Sequence, residues 1–165
     1  TGIGIYPGLG GTQRTQKRIG KELTKYMVFT GDMLFAAYAF KIGLVDKVIS
    51  TGEMFGLYDG SVVLEEFPKT QLTDEKYIAI KQHFSVYKFG EPSNNPVNES
   101  YAPILQKMSG KIMSKAPIAV KIADKLIDEA KGCASELDHL SDIFSTEDAL
   151  LGLSSIGKEV EYKGK

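Results

Sequence analysis

The sequence is poor in the residue types on which several kinds of site depend. It has one cysteine, Cys133, among 165 residues, which excludes an internal disulfide framework and indicates a reducing compartment. The two histidines, His83 and His139, have no cysteine or carboxylate partners at the spacing of metal ligands. We therefore predict no metal site, and we expect both histidines at a helix surface or an interface.

Long hydrophobic runs and an excess of charge of one sign are also absent. No apolar run approaches the roughly 20 residues of a membrane span, and the N-terminal residues lack the charged and apolar regions of a signal peptide. The formal net charge of −1 gives no basic surface for nucleic acid or for an anionic membrane. We expect a soluble, cytoplasmic protein with one core, or with one core and an appended helical lobe, and its start at Thr1 without methionine predicts a fragment.

Glycines divide the first 50 residues into short elements. Gly20, Gly31 and Gly43 each follow an apolar-periodic stretch, where a helix end requires a left-handed residue. The pattern predicts a strand at 1–6, helices at 12–19, 21–29 and 35–42, and a strand at 44–49.

The middle of the chain, 51–102, is broken repeatedly by glycine and proline, including Pro68, Pro92 and Pro96. Only 73–84 predicts a firm helix, with Thr73 as its N-cap. We interpret this segment as an insertion or a mobile lobe.

Residues 103–165 show a series of amphipathic helical patterns. Pro117 suits the first position of a helix that ends before Gly132, and Ser135 can cap the next one. The apolar positions that define these helices are Ile104, Leu105, Met108, Ile112, Met113, Ile118, Ile122, Leu126, Ile127, Leu137, Leu140, Ile143 and Phe144. A last helix is predicted at 149–156.

The loop from Gly4 to Gly11 holds four glycines and one proline in eight positions. Such a loop can cradle a phosphate, but it lacks the ending of a P-loop and the spacing of a dinucleotide fingerprint. The glycines can also serve only a tight turn and close packing. A third reading is that the loop amides position a water or a carbonyl oxygen beside an acid or base from adjacent chain.

The sequence PGLGGTQR, residues 7–14, closely resembles the signature of the crotonase family, the enoyl-CoA hydratases and isomerases. Residues 29–48, 116–120 and 144–153 resemble further landmarks of that family in the same order. The resemblance implies an α/β fold: the C-terminal part of a crotonase-like ββα spiral, followed by a helical trimerisation region. Residues 1–50 would end the spiral core, 51–102 would be the insertion, and 103–165 would form the oligomerisation and CoA-lid region.

The resemblance implies hydration of 2-enoyl-CoA thioesters, with two glutamates as acid and base and two amides holding the thioester oxyanion. The family's Pro-Glu pair would lie just ahead of Thr1, so we expect the chain to be inactive alone. The CoA thioester is the substrate and no cofactor is implied, unless a fused 3-hydroxyacyl-CoA dehydrogenase adds NAD. An isomerase, a hydrolase, a decarboxylase and a non-catalytic oligomerisation module remain alternatives.

Carried onto this sequence, the family pattern makes Gly8 the contact to the catalytic water, through its backbone N–H. Pro7, Gly10 and Gly11 complete the loop. In the family a homotrimer or hexamer brings an aromatic residue and a lysine near the CoA nucleotide, and Phe144 and Lys163 fall closest to those positions. A core role for Phe144 and a frayed tail for Lys163 remain equally open. The carboxylates Asp32, Glu53, Glu147 and Asp148 match no catalytic position, and we expect surface or capping roles for them.

Overall fold

The computed structural model describes residues 1–63, 72–90 and 99–165. The chain forms two compact units, one of Thr1–Asp32 with Glu75–Lys165 and one of Met33–Asp74. Helices account for the regular structure of the described residues. They are α1 (Gly11–Thr30), α2 (Ala36–Lys41), α3 (Thr51–Asp59), α4 (Glu75–Ser85), a 3₁₀ turn (Glu99–Tyr101), α5 (Ala102–Met113), α6 (Pro117–Glu129), α7 (Ala134–Asp138), α8 (Leu140–Phe144) and α9 (Glu147–Ser154).

Helix α1 consists of two helical segments joined at a kink. Gly20 has φ 83° and ψ 166° inside the helix, which only glycine adopts readily. Gly31 ends the helix with φ 64°, and its N–H donates to the carbonyl oxygen of Met27 at 3.1 Å. The prediction of two helices separated at Gly20 and closed at Gly31 is confirmed.

The core of the first unit forms where α1 packs against α4, α5 and α6. Each helix buries one stripe, as the apolar spacing predicts. The larger buried apolar side chains on these helices are Ile19, Leu23, Tyr26, Phe29, Tyr77, Ile80, Phe84, Leu105, Met108, Ile112, Val120, Leu126 and Ile127. Met113, predicted on the stripe of α5, is instead 80% exposed, because it follows the last buried turn of that helix.

His83 lies in this core, so the predicted surface or interface position is wrong. It is three residues after Ile80 on α4, on the face that also carries Phe84. Its ring lies 5.3 Å from Phe84 and 5.7 Å from Tyr87, centroid to centroid. Burial lowers the pKa of His83 below its ordinary value.

A buried ion-pair group joins α1 to α6. The Nζ of Lys25 lies 2.7 Å from Asp124 and 2.8 Å from Asp128. Burial alone would lower the pKa of Lys25, but the hydrogen bonds to these two carboxylates outweigh it and the pKa is raised.

Several helix boundaries differ from prediction. Helix α4 begins at Glu75, two residues after the predicted cap Thr73. Helix α6 begins at Pro117 as predicted, but it ends at Glu129 because Ala130 adopts the left-handed conformation, φ 53°. The predicted helix after Ser135 is two short helices broken at His139, and the Ser135 hydroxyl donates to the Gly132 carbonyl from within α7.

The strand predictions for 1–6 and 44–49 are wrong: the described residues contain no strand. A strand requires a neighbouring strand for its N–H and C=O groups. Residues 2–4 instead lie against α9 and the C-terminal tail. The Gly2 carbonyl accepts from the Tyr162 hydroxyl at 2.8 Å, and Gly4 and Gly152 leave no room for a Cβ at this contact.

The second unit contains α2 and α3. Helix α2 matches the predicted helix, with Gly43 just beyond its end at φ 78°. Helix α3 begins with a capping box, in which Ser50 accepts from the Glu53 amide and Glu53 accepts from the Ser50 amide. The predicted capping role of Glu53 is confirmed. Pro68, Pro92 and Pro96, used to define the insertion, lie outside the described residues.

Candidate functional site

The glycine loop forms a tight turn that leads into α1. The Gly11 amide donates to the Gly8 carbonyl at 3.0 Å, and Gly10 is the helix N-cap with φ 88°. Leu9, between Gly8 and Gly10, has φ 55°, a left-handed conformation that is strained for a leucine. Its side chain is 92% exposed. The turn therefore places Gly8 and Leu9 at an exposed tip ahead of the helix.

Sequence analysis missed the residue that holds this turn, Glu136 of α7. Its side chain is 1% exposed. One carboxylate oxygen accepts from the Gly10 amide, and the other accepts from the Thr12 amide at 3.0 Å and the Thr12 hydroxyl at 2.5 Å. The carboxylate thus caps α1 from more than 120 residues away, where the helix dipole favours negative charge.

Further hydrogen bonds join the loop to the same C-terminal segment. The Tyr6 hydroxyl donates to the Glu136 carbonyl at 2.5 Å. The buried Gln13 side chain donates to the Leu126 carbonyl at 2.7 Å and accepts from the Gly132 amide at 3.1 Å. The only sequence signal for this network is a pair of polar residues, Thr12 and Gln13, at the start of a predicted amphipathic helix.

These contacts argue against a phosphate cradle in the loop. The Gly10 and Thr12 amides are occupied by Glu136, and the Gly11 amide by the Gly8 carbonyl. A phosphate cradle would need those same N–H groups. The amides of Gly8 and Leu9 donate no hydrogen bond within the part of the chain that the structure describes. They are the donors left for a ligand or water.

Gly8 borders two cavities with largely apolar walls. The larger has a volume of about 480 Å³ and the smaller about 310 Å³. The larger is lined by Thr1, Ile3, Ile5, Tyr6, Pro7, Gly8, Gly11, Thr15, Met27, Val28 and Gly31. The smaller is lined by Ile5, Tyr6, Gly8, Leu9, Glu136, Leu137, Leu140, Ile143 and Phe144. A Cβ built at Gly8 would meet no atom within 4 Å, so its backbone faces open space.

The structure brings together some of the predicted site residues. Pro7 and Gly11 line the larger cavity with Gly8, and Phe144 lines the smaller one with its side chain 54% exposed. Gly10 instead faces Arg14 and Cys133. Lys163 is exposed and lines neither cavity.

Asp148 fixes the backbone around Lys163. Its carboxylate accepts from the Lys163 and Gly164 amides, each at 2.8 Å. Asp148 is 2% exposed, so it is a buried capping residue and not a surface charge. It holds the C-terminal tail against the start of α9.

The site lacks a free acid and base within the described residues. Glu136 is the only carboxylate that lines either cavity, and both of its oxygens are already bonded. Asp32 is bound by Lys111 and Tyr26, and although burial would raise the pKa of Asp32, these contacts lower it. The part of the chain that the structure describes holds no group of three or more residues suited to a metal ion.

Within residues 1–63, 72–90 and 99–165, none of the helices combines the length and apolar character that a bilayer crossing requires.

The known proteins that this chain matches are of the family whose signature the glycine loop resembles. Residues 1–58 match the family model described as enoyl-CoA hydratase/isomerase. The chain is similar to a short-chain-enoyl-CoA hydratase of Clostridium acetobutylicum, 26% identical over 89% of this chain and 41% of the relative. It is also similar to a crotonyl-CoA hydratase of Syntrophomonas wolfei, 24% identical over 93% of this chain and 44% of the relative.

Over a shorter stretch the identity to a relative is higher. A mitochondrial enoyl-CoA hydratase of Pongo abelii is 50% identical over 46 residues, 28% of this chain and 16% of the relative. No solved structure matched the chain. Together these matches confirm the resemblance of the chain to the enoyl-CoA hydratases and isomerases, the crotonases. The chain spans about two fifths of the length of the first two relatives.

Proposed function

We propose that this chain forms part of an enoyl-CoA hydratase that adds water to a 2-enoyl-CoA thioester. The observation that carries the proposal is the Gly8 amide, a donor without a partner in the described chain that stands where two apolar cavities meet. A polar donor in an apolar, concave setting is what holding a reactive water requires. The relatives named as hydratases support the same reaction.

In this proposal the chain supplies the water-positioning amide and part of the apolar wall. The two glutamates and the oxyanion amides come from chain outside these 165 residues, because the described cavities offer only the fully bonded Glu136. General acid and base groups must reach the reacting atoms within hydrogen-bond distance. We therefore expect binding of the thioester by this chain and no turnover by it alone.

The finer assignments extend the same proposal. Residues 1–50 end the crotonase spiral, 51–102 form an insertion, and 103–165 mediate assembly into a trimer or hexamer. Phe144, which is half exposed at the smaller cavity, and Lys163, whose backbone is held by Asp148, contact the CoA nucleotide. Light scattering of the purified protein tests the assembly, and a monomer at all micromolar concentrations would contradict it.

Titration calorimetry with crotonyl-CoA tests the site. Gly8→Pro removes the amide donor, and Gly8→Ala is its matched control, because it keeps the N–H and its Cβ has free space. We expect binding of crotonyl-CoA to weaken about tenfold or more in Gly8→Pro, because the water that bridges the Gly8 amide and the bound thioester loses a hydrogen bond in an apolar site, and much less in Gly8→Ala.

Two outcomes would contradict the proposal. A folded protein that does not bind crotonyl-CoA would remove these residues from the thioester site. Turnover of crotonyl-CoA by this chain, followed by the loss of enoyl-thioester absorbance, would place catalytic carboxylates within the 165 residues.

A further inference from the structure

The contacts of Glu136 go beyond those of a helix cap. Both oxygens of one buried side chain accept hydrogen bonds, and all of the donors belong to Gly10 and Thr12 of the glycine loop. Hydrogen bonds to a charged acceptor are stronger and more directional than those between neutral groups. The loop is thus fixed at its helical end by a residue from a distant part of the chain.

Fixing the loop matters because its own sequence cannot do so. Glycine residues at 8, 10 and 11 leave the backbone many accessible conformations, and Leu9 is held in a strained one. The Gly11 amide bonds to the Gly8 carbonyl, so the geometry of Gly10 and Gly11 is passed directly to Gly8. A donor stabilises a reacting group only when its direction is set beforehand.

We infer that Glu136 is a positioning residue for the proposed hydratase, acting on the Gly8 amide through Gly10 and Thr12. The inference rests on the proposed function, because positioning of the Gly8 amide matters only if that amide holds a ligand or a water. Glu136 itself touches no reacting atom in this role. Its carboxylate replaces the local side-chain cap that α1 lacks.

The test compares Glu136→Gln with Asp138→Asn. Glutamine has nearly the shape of glutamate but one acceptor oxygen, so its NH₂ group would face a loop donor. Asp138 lies on the same helix, α7, with an exposed side chain, and Asp138→Asn is the matched control. Cooperative thermal unfolding establishes that each variant is folded.

Amide hydrogen exchange of ¹⁵N-labelled protein measures the clamp. We expect the Gly10 and Thr12 amides to exchange about ten- to hundredfold more slowly than those of Gly8 and Leu9. In Glu136→Gln this protection falls by about the same factor, and in Asp138→Asn it is unchanged. Unprotected Gly10 and Thr12 amides in the native protein would overturn the inference.

The shift of the Gly8 amide resonance on ligand binding measures the positioning of that amide. If Glu136 served only the stability of the fold, this shift would be the same in a folded variant as in native protein. Crotonyl-CoA is expected to shift this resonance in the native protein and in Asp138→Asn. In Glu136→Gln the shift is lost, or half-saturation needs about tenfold more ligand. An equal shift in folded Glu136→Gln would overturn the positioning role and leave the proposed function standing.

A different result marks failure of the proposed function. If crotonyl-CoA leaves the Gly8 resonance unmoved in native protein whose Gly10 and Thr12 amides are protected, the thioester site is overturned, and the role of Glu136 in it as well. If Glu136→Gln does not fold, Thr12→Val replaces it, because it removes the hydroxyl that donates to Glu136 at 2.5 Å and accepts from Gln13 at 3.0 Å, and keeps the Thr12 amide. Ligand affinity in Thr12→Val equal to that of native protein would then overturn the inference.

Discussion

Two glycines in helices offer the same substitution with opposite expected effects. Gly110 lies in α5 and Gly152 in α9, and neither has a positive φ. A Cβ at Gly110 would meet nothing within 4 Å. A Cβ at Gly152 would lie 2.4 Å from the backbone C and O of Ile3 and 2.7 Å from the Tyr162 hydroxyl. The packing, and not the secondary structure, separates the two sites.

The magnitudes follow from this difference. In an exposed helix interior, alanine is more favourable than glycine by about 0.5–1 kcal/mol, so Gly110→Ala should stabilise the protein by that amount. Gly152→Ala makes the same gain, but the backbone at Ile3 must retreat by about 1 Å, and overpacking of this kind costs about 1–3 kcal/mol. We expect a net loss of about 1–2 kcal/mol, with weakening of the bond from Tyr162 to the Gly2 carbonyl.

Urea unfolding followed by circular dichroism gives the free energy of unfolding for both variants. Thermal unfolding provides a second measure, since 1 kcal/mol corresponds to about 2–4 °C for a chain of this size. If Gly152→Ala proved as stable as Gly110→Ala, the close contact between α9 and residues 2–4 would be refuted. A loss of stability in Gly110→Ala would refute the assignment of that position to an exposed helix face.

Three further predictions concern stability. Ala130→Gly should stabilise the protein by about 0.5–1 kcal/mol in urea unfolding, because Ala130 holds φ 53° at the end of α6; a loss of stability would contradict that conformation. Lys25→Met should destabilise the protein by about 2–4 kcal/mol, because Asp124, with a side chain only 17% exposed, loses its cation. The double variant Lys25→Met/Asp124→Leu should recover part of this stability, and no recovery would argue against the ion pair. The pKa of His83 is lowered in the folded state, so the stability that its neutral form contributes is present above about pH 6.5 and is lost as the pH falls further. The free energy of unfolding measured from pH 8 to 5 should therefore depend less on pH in His83→Phe and as strongly as in native protein in His139→Gln. An unchanged pH dependence in His83→Phe would contradict the burial of the ring.

The local features of the fold were predictable where a short stretch of sequence determines the backbone. Glycine at 20, 31 and 43 marked the kink and the helix ends, because only glycine readily adopts the conformations found there. Pro117 marked the start of α6 because proline suits the first helical turn. The glycine loop itself was identified from its composition and its resemblance to the crotonases.

Features that depend on distant residues were not predictable in this way. Residues 1–6 have the composition of a strand, yet residues 2–4 pack against α9 and the tail, and no strand pairs with them in the described chain. His83 has no local signal that distinguishes a core position from a surface one. Its ring is buried with those of its neighbours Phe84 and Tyr87, and both of these pack against Phe29 of α1.

The sequence by itself determined the resemblance to the crotonases, the glycine loop and the position of Gly8 within that loop. Only the tertiary structure decided which amides of the loop are available, because the acceptor that occupies Gly10 and Thr12 is Glu136, 126 and 124 residues away along the chain. From the sequence alone, a glutamate in a short helical pattern is not distinguished from an ordinary surface charge. It becomes a buried cap because the fold brings α7 to the N-terminus of α1, where the orphan N–H groups of a helix require an acceptor.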